Sequence, residues 1–206
     1  MTVQAERRRR TAAAILDAAE TAYAAAGGYS AVTIEQIARE ADVALATIYD
    51  HFAGKQDVYL AVAERAVQRN EEYLESACDS SLSGLEEAVE IGRAYARFHL
   101  DHPAAFRLIG LAELDNSDEP VGEMRRSIDR RLERMLGRLA NAIQCAVDEG
   151  EIGPFDATRA AIVLWAGING LLATHARGSI SRKELERAID LARQIQLAGI
   201  RHGEPV

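Results

Sequence analysis

The sequence predicts an all-α protein, with an N-terminal three-helix head followed by a larger helical bundle, about nine helices in all. Three observations carry this prediction. Apolar residues recur at steps of three and four, and no stretch sustains the alternation of two that a half-buried strand needs. The four prolines (Pro103, Pro120, Pro154 and Pro205) stand at breaks between periodic segments, as a helical chain must place them. Residues 33–52, TIEQIAREADVALATIYDHF, form two short helical sets with a tight turn between them. Ile34, Ile37, Ala38 and Ala41 make the first set, Ile48 and Phe52 anchor the second, and Val43 lies at the join. This is the pattern of a helix-turn-helix. The expected division is a head at residues 1–54 and a second domain at residues 55–206.

Each element has its own signal. A first helix is expected from about Arg8 to Ala26, with Ile15, Leu16, Ala19 and Tyr23 inward and Gly27-Gly28 ending it. Thr33 with Gln36 three residues on fits a capping box for a second helix, Thr33 to Glu40. Ala41–Val43 forms the turn, and a third helix spans about Ala44 to Phe52. A fourth runs from Lys55 to about Ala77, followed by a serine- and glycine-containing loop from Asp79 to Gly84. A fifth covers Leu85 to Asp101, and Pro103 opens a sixth that ends near Glu113. After the polar loop Leu114 to Pro120, a long seventh helix reaches from Val121 to Asp148, carrying Met124, Ile128, Leu132, Met135, Leu139, Ile143 and Val147 on one stripe. The eighth, Asp156 to Arg177, is apolar through its middle, and the ninth runs from Ser181 to Gly199.

Composition narrows the class. No uninterrupted apolar run approaches the roughly 18 residues that span a bilayer. Nothing apolar behind the basic start MTVQAERRRR resembles a signal peptide, so a cytoplasmic protein without a membrane partner is expected. Cys78 and Cys145 lie far apart in helical patterns and are expected to remain thiols in a reducing compartment. The net charge of −8 argues against a nucleic-acid partner only superficially. Residues 1–56 carry six basic and seven acidic groups, whereas the remainder carries 18 and 25. Arg7, Arg8, Arg9 and Arg10 form one run, so a basic arm on a near-neutral head is attached to an acidic body.

Within the head, a small residue, a turn residue and an apolar residue stand at Ala38, Asp42 and Ile48. Ala38 is small where two helices cross. Asp42 takes the turn site that requires a left-handed backbone and favours glycine. Ile48 reaches back into the core. With a basic helix before it and V-A-L-A-T-I-Y-D-H-F then G-K-Q-D-V after T-I-E-Q-I-A, the stretch resembles the DNA-binding domain of the TetR family of bacterial repressors. The resemblance covers about residues 8–62 and is sharpest at Ile48, Tyr49, His51, Phe52 and Lys55. The order and lengths of the later helices fit that family's nine-helix plan. Asp42 replaces the family's usual glycine, and Asp50 stands where a neutral or basic residue is common.

The resemblance implies that Ala44, Leu45, Ala46 and Thr47 face the major groove of an operator. Thr47 can hydrogen-bond a base edge or phosphate, and Ala44, Leu45 and Ala46 can meet thymine methyls. No Arg or Asn is present for a bidentate base contact, so weak direct readout is expected, with DNA shape and Arg7–Arg10 contributing more. Tyr49 and His51 are phosphate contacts by analogy with the family. Lys55 and Thr33 stand at helix starts whose free N–H groups can also meet phosphates.

A head of this size does not need the remaining residues to bind DNA, and the surplus suggests dimerisation and sensing. Ala166, Gly170 and Ala173 on the eighth helix, with Leu185, Ile189 and Ala192 on the ninth, are the expected interface of a homodimer built as a four-helix bundle. Helices five to eight are expected to enclose an apolar effector pocket near Tyr95, Phe98, His99, Phe106, Met124, Met135, Trp165 and Asn169. His99 and His102, a three-residue step running into Pro103, are poor metal-ligand geometry, so neither metal nor cofactor is expected. No nucleophile elbow or phosphate loop suggests an enzyme. The expected function is a homodimeric repressor of a palindromic double-stranded operator, released or retuned by a small, mainly apolar effector. The alternative is an all-helical protein–protein adaptor with weak or lost DNA binding.

Overall fold

The computed structural model describes residues 2–26, 29–77, 81–114 and 123–202, together with their side chains except at positions 77, 110–114, 124 and 196–202. Among these residues the chain is all-helical, as the periodicity predicts, and holds nine α-helices. They are α1 (Val3–Ala26), α2 (Ile34–Glu40), α3 (Leu45–Tyr49), α4 (Lys55–Ala77), α5 (Gly84–Asp101), α6 (Pro103–Leu114), α7 (Glu123–Asp148), α8 (Ala157–Ala176) and α9 (Arg182–His202), with a single 3-10 turn at Tyr29–Ala31. The expected glycine stop at Gly27-Gly28, Cys78, most of the loop at 115–120 and the Met124 side chain lie outside the described residues.

The chain divides into two compact units. The first comprises residues 1–68 and 104–129. Its core is Ile15, Ala19, Ile37, Ile48, Val58, Val62 and Val67, all without solvent exposure. Arg65 on α4 reaches Asp17 and Glu20 on α1, each at 2.6 Å, so charge-assisted bonds join the two helices above that core. Three tyrosines pack edge-on, with Tyr59 5.2 Å from Tyr23 and 5.0 Å from Tyr29 between centroids. The Tyr59 hydroxyl donates to the Leu108 carbonyl at 2.8 Å, which ties α6 to this cluster.

The second unit comprises residues 69–103 and 130–206. Glu71 on α4 accepts from Arg131 and from Arg134, the latter at 2.8 Å. Burial alone would raise the Glu71 carboxyl, but these two arginines outweigh it and hold the group below its ordinary range. The start of α5 is pressed onto the end of α7. A Cβ on Gly84 would stand 2.3 Å from the Ala146 nitrogen, so only glycine fits. The freed N–H groups of Gly84 and Leu85 donate to Glu149 at 3.1 Å and Glu151 at 2.9 Å. Gly84 is thus the first residue of α5, capped by a Ser83–Glu86 box, and does not belong to the preceding loop as the serine-rich sequence suggested.

Surface chemistry distinguishes α8. By length and composition it is apolar enough to cross a bilayer, the single such helix among the described residues, although the sequence count found no run of that length. The difference arises because scattered Gly, Thr and Asn break the run without lowering its average below that of a membrane span. Only 17% of its apolar window is buried within the chain.

Candidate nucleic-acid interface and effector cavity

The candidate reading surface begins with the turn after α2. Thr33 accepts from the Gln36 N–H, and the Gln36 side chain accepts from the Thr33 N–H at 2.7 Å, the reciprocal box its spacing predicts. At the other end Asp42 adopts φ +52°, the sole left-handed non-glycine residue among those described. Its N–H donates to the Arg39 carbonyl and the Val43 N–H to that of Ala38, at 3.3 and 3.0 Å. These are the paired bonds of a Schellman stop. They aim the chain into α3, where Ile48 is fully buried; Ala38 on α2 is nearly so.

The third helix is shorter than the sequence suggested. It spans five residues, with Ala44 at its N-cap and Asp50 at its C-cap. The Ile48 carbonyl accepts from both His51 and Phe52, which tightens the chain and turns Phe52 into the core. Ala44, Leu45 and Ala46 are exposed, and Thr47 is half-buried. Tyr49 is 54% exposed, while His51 is half-buried. Lys55 lies with its ammonium 4.1 Å over the Tyr29 ring, a cation–π contact that steadies the charge at the start of α4.

Arg7–Arg10 are not an extended arm. Helix α1 begins five residues before the expected start, because Thr2 caps it through its hydroxyl to the Ala5 N–H. Successive residues of a helix are 100° apart, so four consecutive arginines cannot share a face. Arg9 and Arg10 pair with Glu6 at 3.1 and 3.2 Å, and both hydrogen bonds hold the Glu6 carboxyl below its ordinary range. Arg8 donates to the Asp50 backbone carbonyl at 3.0 Å, linking the start of α1 to the end of α3. Asp50 therefore has a cation beside it, bonded to its main chain.

The second unit contains a cavity of about 310 Å³ between α5, α7, α8 and α9. Its wall is Leu85, Ala88, Val89, Ile91, Gly92 and Tyr95 from α5, Leu139, Ile143 and Ala146 from α7, and Leu164, Trp165, Gly167, Ile168 and Leu171 from α8. Ile152, Ile189, Ala192, Arg93 and Arg193 complete it. Of the eight residues placed near a pocket by sequence, Tyr95 and Trp165 line this one. Their rings are 4.3 Å apart, and the Tyr95 hydroxyl donates to Asn169 at 2.9 Å. Phe98, His99 and Met135 are buried but do not line the cavity, and Phe106 belongs to the other unit. The stripe Leu85, Val89, Gly92 at helical steps carries the sequence signal for this wall, which aromatic character does not.

His99 lies behind Tyr95, ring to ring at 4.5 Å, with the Asn70 amide of α4 3.3 Å from its Nε2. Burial, reinforced by the nearby His102, pushes its pKa down to about 3, so the imidazole is neutral. With the amide donating, the ring proton is assigned to Nδ1. Among the described residues no three His, Cys, Asp or Glu side chains converge as a metal site.

On the outer side of α8, Ile162, Val163, Ala166, Gly167 and Gly170 are exposed. Ala173 is half-buried. On α9, Leu185 is fully buried inside the chain, and Ile189 and Ala192 line the cavity. The described apolar residues of α9 that are over half exposed are Leu191 and Ile195, the latter continuing the stripe of Leu185, Ile189 and Ala192.

Comparison with known proteins agrees with this architecture. Residues 15–62 match the family of bacterial regulatory proteins of the TetR type, and residues 88–196 match a tetracycline repressor-like C-terminal domain. Among solved structures, the transcriptional regulator FadR from Bacillus subtilis, in complex with stearoyl-CoA, aligns with a TM-score of 0.71 at 21% identity, covering 93% of this chain and 98% of that one. The fatty acid degradation regulator FadR from Bacillus halodurans aligns at 0.72 and 19%, covering 93% and 96%. A regulatory protein of the tetR family from Rhodococcus RHA1 aligns at 0.73 and 21%, covering 94% and 98%. No curated protein matches the chain. The two matched segments span most of the sequence, and the chain belongs to the TetR family of bacterial transcriptional regulators.

Proposed function

We propose that this regulator is a cytoplasmic homodimeric repressor that binds a palindromic operator and is released or retuned by a small, mainly apolar effector. The observation that carries the reading is the pairing of an exposed α3 on a capped turn with an apolar cavity in the other unit. In this reading residues 1–54 dock on DNA and residues 55–206 dimerise and bind the effector. Ala44, Leu45 and Thr47 meet base edges. Tyr49, His51, Lys55 and Thr33 meet phosphates, with the arginines at positions 7–10 contributing part of their charge. The exposed apolar side of α8, with Gly170 and Ala166 allowing close approach, supports a second copy of this chain as its cover. Leu191 and Ile195 on α9 are exposed as well.

The stearoyl-CoA bound by the Bacillus subtilis protein supports an effector with a long apolar part. An effector acts only through different affinities for two conformations of the dimer. Helix α4 contributes residues to both units and is the natural carrier of the change.

A gel-shift titration with the DNA flanking its own gene at low salt tests the reading. A retarded complex is expected, and its absence overturns it. Tyr49→Ala and Lys55→Ala should each weaken that complex by about tenfold. A protein–protein adaptor would tolerate both changes.

A further inference from the structure

The cavity wall is aliphatic over most of its area, yet among the described residues it holds two cations and no acid: Arg93 from α5 and Arg193 from α9. Neither is well satisfied. Arg93 is half-exposed and meets Glu90 only at 3.8 Å, one turn away. Arg193 stands 4.0 Å from Asp190, beyond hydrogen-bond reach, and no carboxylate among the described residues comes nearer to it. By contrast, the partly buried Arg65 and Arg131 are each paired with carboxylates at hydrogen-bond distance. The missing partner must be an acceptor, and beside a guanidinium an anionic one binds best because two parallel N–H bonds can reach its oxygens.

Size limits the body attached to the anion. At roughly 30 Å³ per water-sized group, 310 Å³ holds about ten non-hydrogen atoms. The wall of Leu, Ile and Val side chains, with Trp165 and Tyr95 the aromatic members, favours a flexible aliphatic body.

We propose that the effector is an anionic amphiphile, with an alkyl body of about ten carbons in the cavity and a carboxylate or phosphate head held by Arg193, with Arg93 as the second cation. This deepens the reading of the cavity as the effector site and rests on it. Arg193 then distinguishes effectors by head charge, while the aliphatic wall distinguishes them by length.

The chain carries a single tryptophan, and Trp165 lines the cavity, so its emission reports occupancy directly. The full-length protein is titrated with decanoate, decyl phosphate, decanol and decyltrimethylammonium, with calorimetry as a second measure. Saturable binding of decanoate or decyl phosphate is expected at least about tenfold tighter than decanol, with the cation weakest. The two anions identify the head: a preference for one assigns carboxylate or phosphate. Arg193→Gln should narrow the decanoate-to-decanol ratio towards one, Arg93→Gln should narrow it less, and Arg193→Lys, which keeps charge without the fork, should fall between. Equal binding of decanoate and decanol, or a ratio unmoved by Arg193→Gln and Arg193→Lys, overturns the head-group assignment and leaves the cavity standing as an effector site. Failure of every decyl probe to bind overturns the cavity reading together with this one, while the gel shift independently judges DNA binding.

Discussion

At Asp42 an ordinary L-residue holds a conformation that costs it free energy, because its Cβ crowds the following carbonyl. The paired bonds from Asp42 and Val43 to the end of α2 require this geometry, so the strain offsets part of the turn's stability. Asp42→Gly should stabilise the protein by about 0.5–1 kcal/mol in urea unfolding, and Asp42→Val should destabilise it. His99 supplies a second single-residue case. Its folded pKa, about 3, lies below the ordinary value of 6.5, so the unfolded chain binds a proton that the native one refuses. The neutral histidine's full contribution is present above pH 6.5 and is lost as pH falls from there towards 3. Between pH 7 and 5 it should remove about 2 kcal/mol of stability. In His99→Gln that component of the pH dependence should vanish, as paired urea titrations at the two pH values would show.

Helices meet this chain's requirements through their ends. Gly84 lets α5 touch the backbone of α7, and Glu149 and Glu151 supply acceptors to the amides exposed there. Gly84→Ala should cost at least about 2 kcal/mol, since the obstacle is main chain and cannot rotate away. A fall in melting temperature without change in helix content at 20 °C would read this out. The same helix ends explain what was legible in the sequence. Thr33 with Gln36, and the Ala38–Asp42–Ile48 spacing, are local patterns whose meaning does not depend on distant partners, and α2 and its turn could be read from them. The Thr2 cap is hard to read because Val3 and Ala5 behind it begin no inward stripe, and the first buried residue of α1 is Ile15. The end of α3 at Tyr49 was missed because Phe52 continues the helical spacing while its backbone does not. The cavity was harder still. Which apolar residue lines a void and which fills a core depends on how four helices pack, and Phe98 and Val89 carry the same signal in a one-dimensional pattern.

For the whole molecule, the cover of α8 is a matter of measurable mass. Ile162, Val163, Leu191 and Ile195 leave apolar surface that a monomer in water would not favour. Sedimentation equilibrium should return twice the chain's 22.4 kDa, and Gly170→Arg should shift it towards the monomer while the cavity still binds its probe. Charge enters at the same scale. Glu6 already occupies Arg9 and Arg10, and Arg8 is bonded to Asp50, so the basic run offers DNA less free charge than four arginines suggest. Removing residues 1–10 should lower the dependence of log affinity on log salt by about one to two, at roughly 0.9 per phosphate contact, where four free arginines would take away nearly four.

The cap by Thr2 and the bond from Arg8 to Asp50 have a thermodynamic consequence for the encounter with DNA. A basic tail that folds only on its target adds the heat-capacity signature of coupled folding to the binding reaction. Here the first two turns of α1 are ordered beforehand and joined to the reading helix, so that component is absent. Calorimetry across temperature should return a heat-capacity change matching the surfaces buried between rigid partners, the same with residues 1–10 present or removed apart from their own contact area.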